Sequence, residues 1–192
     1  MPYLSPDSFN HIAKSVELVN LSDGYRICDF ESEDEDYNVF LKEHAIKYNE
    51  LGMCKTHLLI NKQNGDVIGY FTLNADAILL TKEEKCKHSL DDVLFKSIPS
   101  LKIGMLAVDR KYNKIQKGYG SFLIEMCRGF ATELNKNGIG CRFIIVDADI
   151  RNGKTSYILY EKNGFIYNIH DQYKKRDTSK SMRLEIFNDI KD

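Results

Sequence analysis

The chain of 192 residues has no tryptophan, three prolines and five cysteines, and it lacks any long apolar run. Its longest aliphatic stretches, such as Leu58–Ile60 and Ile144–Val146, fall far short of the ~20 residues that a bilayer-spanning helix needs. No membrane partner is expected. With 43% hydrophobic and 29% charged residues, the composition excludes fibrous and low-complexity classes and describes a globular chain. An excess of one charge is also missing: 27 Lys and Arg face 28 Asp and Glu. The overall field therefore offers no general attraction for nucleic acid or anionic lipid, and any polyanion site has to be local. The cysteines at 28, 54, 86, 127 and 141 are odd in number and scattered. That spacing suits reduced thiols rather than a disulfide framework, and no Cys-x-x-Cys or His-x-x-x-His pair suggests a metal site. Residues Met1–Asn10 contain no basic stretch leading into an apolar one, so no secretory signal is expected and the reading is cytoplasmic.

What is present is patterning. Residues 1–24 are weakly patterned, with a short strand at Val16–Val19, and are expected to form an N-terminal extension packed on one domain over 25–192. Ser32 and Glu35 have capping-box spacing, and Tyr37, Phe40, Leu41, Ala45 and Tyr48 recur at helical period up to Gly52. Thr56–Asn61 and Val67–Leu73 read as strands joined through Asn64-Gly65, a hairpin signal. Lys82–Asp92 is charged and reads as helix or loop. Leu101–Val108 reads as a buried strand, followed by a cationic loop, Arg110–Lys117. A long helix with Leu123, Ile124, Cys127, Phe130, Ala131 and Leu134 on its inner face runs to Asn137-Gly138. Cys141–Ala148 reads as a second buried strand, Lys154–Lys162 as a helix stopped by Asn163-Gly164, and Ser181–Phe187 as a last strand.

The segment that carries chemistry is Leu106–Leu134: strand, basic glycine loop, helix. Glycines at a helix mouth let backbone amides approach a ligand, and those amides with the helix dipole attract phosphate oxygens. Arg110, Lys111, Lys114 and Lys117 add positive charge with no acid between them. A bland reading, in which Gly118 and Gly120 only shape a tight connection, is favoured for the glycines alone; the cations tip the balance to a phosphate-bearing ligand. Two nucleotide fingerprints fail. The third glycine of Gly-x-Gly-x-x-Gly is replaced by Leu123, and the first glycine required ahead of Gly153-Lys154-Thr155 is Ala148.

Four blocks in order resemble the GNAT superfamily of N-acetyltransferases: Leu106–Asp109, Gln116–Gly120, Phe143–Ala148 and Leu159–Phe165. A weaker likeness over Phe30–Leu41 and on through Tyr48 is to a GNAT subgroup that includes toxins acetylating aminoacyl-tRNA. The resemblance implies an α+β, three-layer α/β/α fold with a mixed, mostly antiparallel sheet splayed between two central strands. It implies acetyl-CoA as cosubstrate and no metal. Leu106, Ala107 and Val108 would pair with the pantetheine through their backbone. Amides of Gln116, Lys117, Gly118, Tyr119, Gly120 and Ser121 would hold the diphosphate. Where the family usually has Arg or Gln three residues before the first glycine, this chain has Ile115, and its loop after Asp109 is longer. Asn152 resembles a cofactor-contacting asparagine, with capping of the next helix as its bland reading.

Tyr160 sits where similar enzymes place the tyrosine that protonates the departing thiolate; packing beside Phe165 is its bland reading. The attacking amine must lose a proton, and Asp147, Asp149, His57 and His170 are candidates, each with a structural role as the commoner alternative. The expected function is acetyl transfer from acetyl-CoA to a primary amine. The alternatives are a toxin acting on aminoacyl-tRNA, suggested by the upstream likeness and by the clusters Arg110–Lys117 and Lys174–Arg176, and a non-catalytic acyl-CoA-binding module. Oligomeric state, a homodimer included, is open.

Overall fold

The computed structural model describes residues 4–115, 118–169 and 178–187. In chain order its elements are α1 (Pro6–Ser15), β1 (Val16–Asn20), α2 (Glu35–Val39), α3 (Ala45–Glu50), β2 (Lys55–Asn61), β3 (Val67–Leu79) and α4 (Lys82–Lys87). There follow β4 (Ser97–Val108), α5 (Arg110–Ile115), α6 (Tyr119–Lys136), β5 (Phe143–Asp149), α7 (Ser156–Lys162), β6 (Ile166–Tyr167) and β7 (Ser179–Glu185). The strands form a seven-stranded sheet in the order β1-β2-β3-β4-β5-β7-β6. The pairings β1/β2, β2/β3, β5/β7 and β6/β7 are antiparallel. The fold is therefore α+β with a mostly antiparallel sheet, as the sequence suggested. No helix among the described residues is long and apolar enough to cross a membrane.

The chain divides into two compact units, residues 2–74 with 103–127 and residues 75–102 with 128–192. In the first, Val16–Asn20 is a sheet strand, paired from Val16↔Asn61 to Asn20↔His57. The β2–β3 hairpin forms where Asn64-Gly65 predicts it, with Gly65 at φ 72°. Leu41, Leu58 and Tyr70 are fully buried at the centre of its core, with Phe30 beside them. In the second unit β5 is buried on both faces over Phe143–Val146 and pairs along its length with β7. Phe143 and Ile145 pack there with Ile78, Leu80 and Ile98.

Two local expectations need correction. The helix after Ser32 is capped by Asp34, whose side chain accepts from the Asp36 amide at 3.2 Å. Ser32 is instead buried, and its amide donates to Asn38 Oδ1 at 2.7 Å. Asn38 Nδ2 in turn donates to Glu35 Oε2, so Glu35 serves that latch rather than a capping box. The helix also runs through a π-helical turn at Phe40–His44, which brings both Phe40 and Leu41 inward. The second correction is the cationic loop, most of which is the helix α5. Asp109 starts it: its Oδ1 accepts the Lys111 amide at 2.8 Å and its carbonyl accepts the Asn113 amide at 2.9 Å.

Candidate functional site

The residues singled out by sequence fall into the two units. In the first, β4 ends on Leu106, Ala107 and Val108, with Ala107 buried and its two neighbours half-buried. This end of the strand comes close to Gly69 of β3. A Cβ there would stand 2.8 Å from the Ala107 carbonyl oxygen and 3.1 Å from Leu123 Cδ1 of α6. Only glycine lets β4 and α6 share that space. The strand end and the helix proposed to hold one ligand are thus packed about one residue.

Gln116 and Lys117 lie outside the described residues. Gly118 has φ +110°, a conformation that L side chains rarely adopt, and a Cβ on it would meet Leu4 Cδ1 at 3.0 Å, so a side chain at this position would be strained. The Phe122 amide bonds to the Gly118 carbonyl at 2.9 Å, which makes Gly118 the residue from which α6 starts. Tyr119, Gly120 and Ser121 form the first turn, which contains no acid. The positive end of an 18-residue helix dipole is aimed out of it. A diphosphate fits this donor set.

The surrounding cations contribute less than their number suggests. Arg110 Nη2 lies 3.1 Å from Glu31 Oε2, and Lys111 Nζ lies 2.8 Å from Asp66 Oδ2. The acids that balance them come from elsewhere in the chain, which a count along residues 110–117 cannot reveal. Lys174–Arg176, the other basic cluster, lies outside the described residues.

In the second unit Tyr160 is buried on α7, its ring edge-on to Phe165 at 5.3 Å between centroids. Tyr160 therefore makes the aromatic contact of its bland reading. Asn152 does not cap α7, whose cap position is Thr155. It is exposed and left-handed at φ 55° in the short turn Arg151–Gly153. Next to it, Asp149 Oδ1 accepts from the Arg151 amide at 2.9 Å, and its Oδ2 accepts from Arg151 Nη2 at 2.8 Å and Lys154 Nζ at 3.0 Å. The Arg151 hydrogen bond is the chief influence holding this carboxyl well below the usual range, which makes it an anchor for the turn and a poor base. Asp147 pairs with Lys102 at 2.9 Å. Burial pulls the Lys102 ammonium down, but Asp147 and Asp76 outweigh it and its pKa is raised.

His57, in the first unit, is buried and stacked on Phe71, and desolvation lowers its pKa to about 4. An imidazole so reluctant to take a proton is a weak base for an ammonium acceptor. His170 lies outside the described residues. Cys127 and Cys141 are buried core thiols, and burial raises both. Asp109, which initiates α5, is not among the residues singled out by sequence. Its Oδ2 also accepts the Glu31 amide at 2.8 Å, fixing the chain that leads into α2. Its signal is an Asp directly after a strand and before helix-compatible residues.

No protein-family model matches the sequence, and no curated protein matches it significantly. Solved structures do match. A tyrosine-to-phenylalanine mutant of KacT superposes with a TM-score of 0.73 at 19% identity, covering 90% of this chain and 95% of that one. AtaT complexed with acetyl-methionyl-tRNAfMet gives 0.71 at 20% identity, over 91% and 96%. A tyrosine-to-phenylalanine mutant of the AtaT toxin, bound to the C-terminus of the antitoxin AtaR and acetyl-CoA, gives 0.66 at 19%, over 89% and 93%. These similarities show the fold: the chain has the GNAT-type architecture of its structural neighbours.

Proposed function

We propose that the chain is an acetyl-CoA-dependent N-acetyltransferase whose acceptor is the α-amino group of an aminoacyl-tRNA. One observation favours this class over the generic primary amine expected from the sequence. The fold matches AtaT complexed with acetyl-methionyl-tRNAfMet along nearly the whole of both chains. The similarity to AtaT bound to acetyl-CoA supports the cosubstrate. The positive-φ glycine and acid-free first turn of α6 support the same reading independently.

In this reading the backbone of Leu106, Ala107 and Val108 pairs with the pantetheine, amides from Gln116 to Ser121 hold the diphosphate, and Asn152 contacts the cofactor. The neutral α-amine attacks the thioester carbonyl, so a C–N bond forms as the C–S bond breaks. The sulfur leaves as thiolate and takes a proton from Tyr160. Neighbours solved as tyrosine-to-phenylalanine mutants are consistent with a tyrosine of functional weight in this fold. Asp147 and Asp149, each engaged with cations, are set aside as the base, and the amine proton goes to solvent.

Calorimetry with acetyl-CoA and a gel shift with tRNA across a salt series test the two halves of the proposal. Acetyl-CoA should bind one per chain, and tRNA binding should weaken as salt rises. Absence of salt-dependent tRNA binding would retire the acceptor. Cofactor binding without acetylation of any amine would favour the non-catalytic module.

A further inference from the structure

The β2–β3 turn is closed by its own backbone, with the Gly65 amide bonded to the Asn61 carbonyl at 2.8 Å and the Asn61 amide to the Asp66 carbonyl at 2.9 Å. The Asp66 carboxylate carries far more than that turn requires. Its Oδ1 accepts from Arg26 Nη2 at 2.8 Å. Its Oδ2 accepts from Tyr112 Oη at 2.7 Å, Lys111 Nζ at 2.8 Å and Asn64 Nδ2 at 3.0 Å. Two of these donors, Tyr112 and Lys111, belong to α5. The Tyr112 hydroxyl is further enclosed by Asn61 Nδ2 at 3.3 Å and Asn64 Nδ2 at 3.2 Å.

Helix α5 has six residues, too few to hold its own shape in water. Its place must come from contacts around it, among them Asp109 and Glu31 at its start and Asp66 at its middle. Tyr112 is buried, and its ring stands edge-on to Tyr119 with centroids 6.2 Å apart at 88°. Tyr119 is itself buried and opens α6. A continuous set of contacts therefore runs from the hairpin turn through Asp66 and Tyr112 to the first turn of α6.

We propose that Asp66 is a positioning residue: through Tyr112 it holds α5 against the mouth of α6 and so sets the geometry with which the chain grips a diphosphate. The inference rests on the acetyl-CoA reading above. A grip made of backbone amides works only if those amides are held in place before the ligand arrives, and a small displacement is costly. The carboxylate also keeps its charge across neutral pH, since the hydrogen bond from Lys111 and then that from Tyr112 lower its pKa.

The test compares two ligands on the intact chain. Asp66→Ala removes the carboxylate. Tyr112→Phe removes only the hydroxyl and keeps the ring against Tyr119, so it carries the test if Asp66→Ala does not fold. Acetyl-CoA affinity is measured by calorimetry. Affinity for S-acetylpantetheine, which has the thioester arm without the diphosphate, is measured by NMR titration. Both variants should lose about tenfold in acetyl-CoA affinity, roughly 1.4 kcal/mol, and bind S-acetylpantetheine as the parent does. An unchanged acetyl-CoA affinity overturns the proposal, as does an equal loss for both ligands, which marks general loosening. If the parent chain binds neither ligand, the acetyl-CoA reading itself fails.

Discussion

Arg183 Nη1 lies 2.6 Å from Glu84 Oε1, and both side chains are sealed from solvent. The same Nη1 donates to Asn168 Oδ1 at 2.9 Å and the Tyr167 carbonyl at 3.1 Å, and Arg183 Nε lies 3.2 Å from His88 Nε2. A guanidinium cannot accept, so His88 Nε2 is the acceptor, and its Nδ1–H donates to Glu185 Oε2 at 2.7 Å. Glu84 is satisfied in turn by the Thr81 amide at 2.9 Å and the Ile169 amide at 2.8 Å. This network ties α4 to β7 within its unit.

Glu84→Ala should cost on the order of 3–5 kcal/mol, because it leaves a buried guanidinium without its counter-charge. Burial raises the Glu84 pKa, but the Thr81, Ile169 and Arg183 contacts outweigh it and the net shift is downward. A depressed carboxylate contributes stability that is complete above its ordinary pKa and is lost as pH falls through the lower folded value. Urea unfolding against pH checks both statements: the parent should lose stability on acidification below about pH 4.3, and Glu84→Gln should show a flatter acid limb.

His57 predicts a loss that begins at higher pH. Its folded pKa of about 4 lies below its ordinary 6.5. The unfolded chain therefore binds the extra proton between those values, and stability falls as pH drops through that window. At about 1.4 kcal/mol per decade, the upper limit is roughly 3.5 kcal/mol. NMR should show its imidazole titrating near pH 4, and His57→Phe should remove this part of the pH dependence. Titration near 6.5 contradicts the prediction.

Gly69→Ala should destabilise by about 1–3 kcal/mol through overpacking, because the new methyl would stand 2.8 Å from a backbone oxygen that has no side-chain freedom to yield. It should also weaken acetyl-CoA binding, since β4 and α6 meet there. An urea midpoint equal to that of the parent would contradict this.

Tyr160→Phe should retain acetyl-CoA affinity and lose about 10²–10⁴-fold in turnover, the usual contribution of a positioned acid. The ring contact with Phe165 survives the change, so the fold should be intact. Unaffected turnover removes Tyr160 from the mechanism.

The readable parts of the sequence were those where local chemistry and burial agree. Asn64-Gly65 fits the positive φ of its turn, and the unbroken Phe143–Val146 run matches a strand buried on both faces. Ser32 misled because the helix starts two residues later, where Asp34 accepts the Asp36 amide, and the Ser32 hydroxyl finds a buried partner in Asn38. Glu84 was hidden because a buried glutamate and a surface one look alike in a charged stretch. Its capping box with Thr81 was present as Thr-x-x-Glu, but the counter-ion Arg183 is 99 residues away. The pairing of Arg110 and Lys111 was hidden for the same reason, their acids Glu31 and Asp66 being distant in sequence.

The most direct measurement is transfer of label from [14C]acetyl-CoA to purified aminoacyl-tRNA, with free amines, polyamines and uncharged tRNA as parallel acceptors. The account predicts that label enters the aminoacyl group of charged tRNA and is released with it on mild alkaline deacylation. Label in small amines with none on aminoacyl-tRNA, or no transfer to any acceptor by a chain that binds acetyl-CoA, would contradict it.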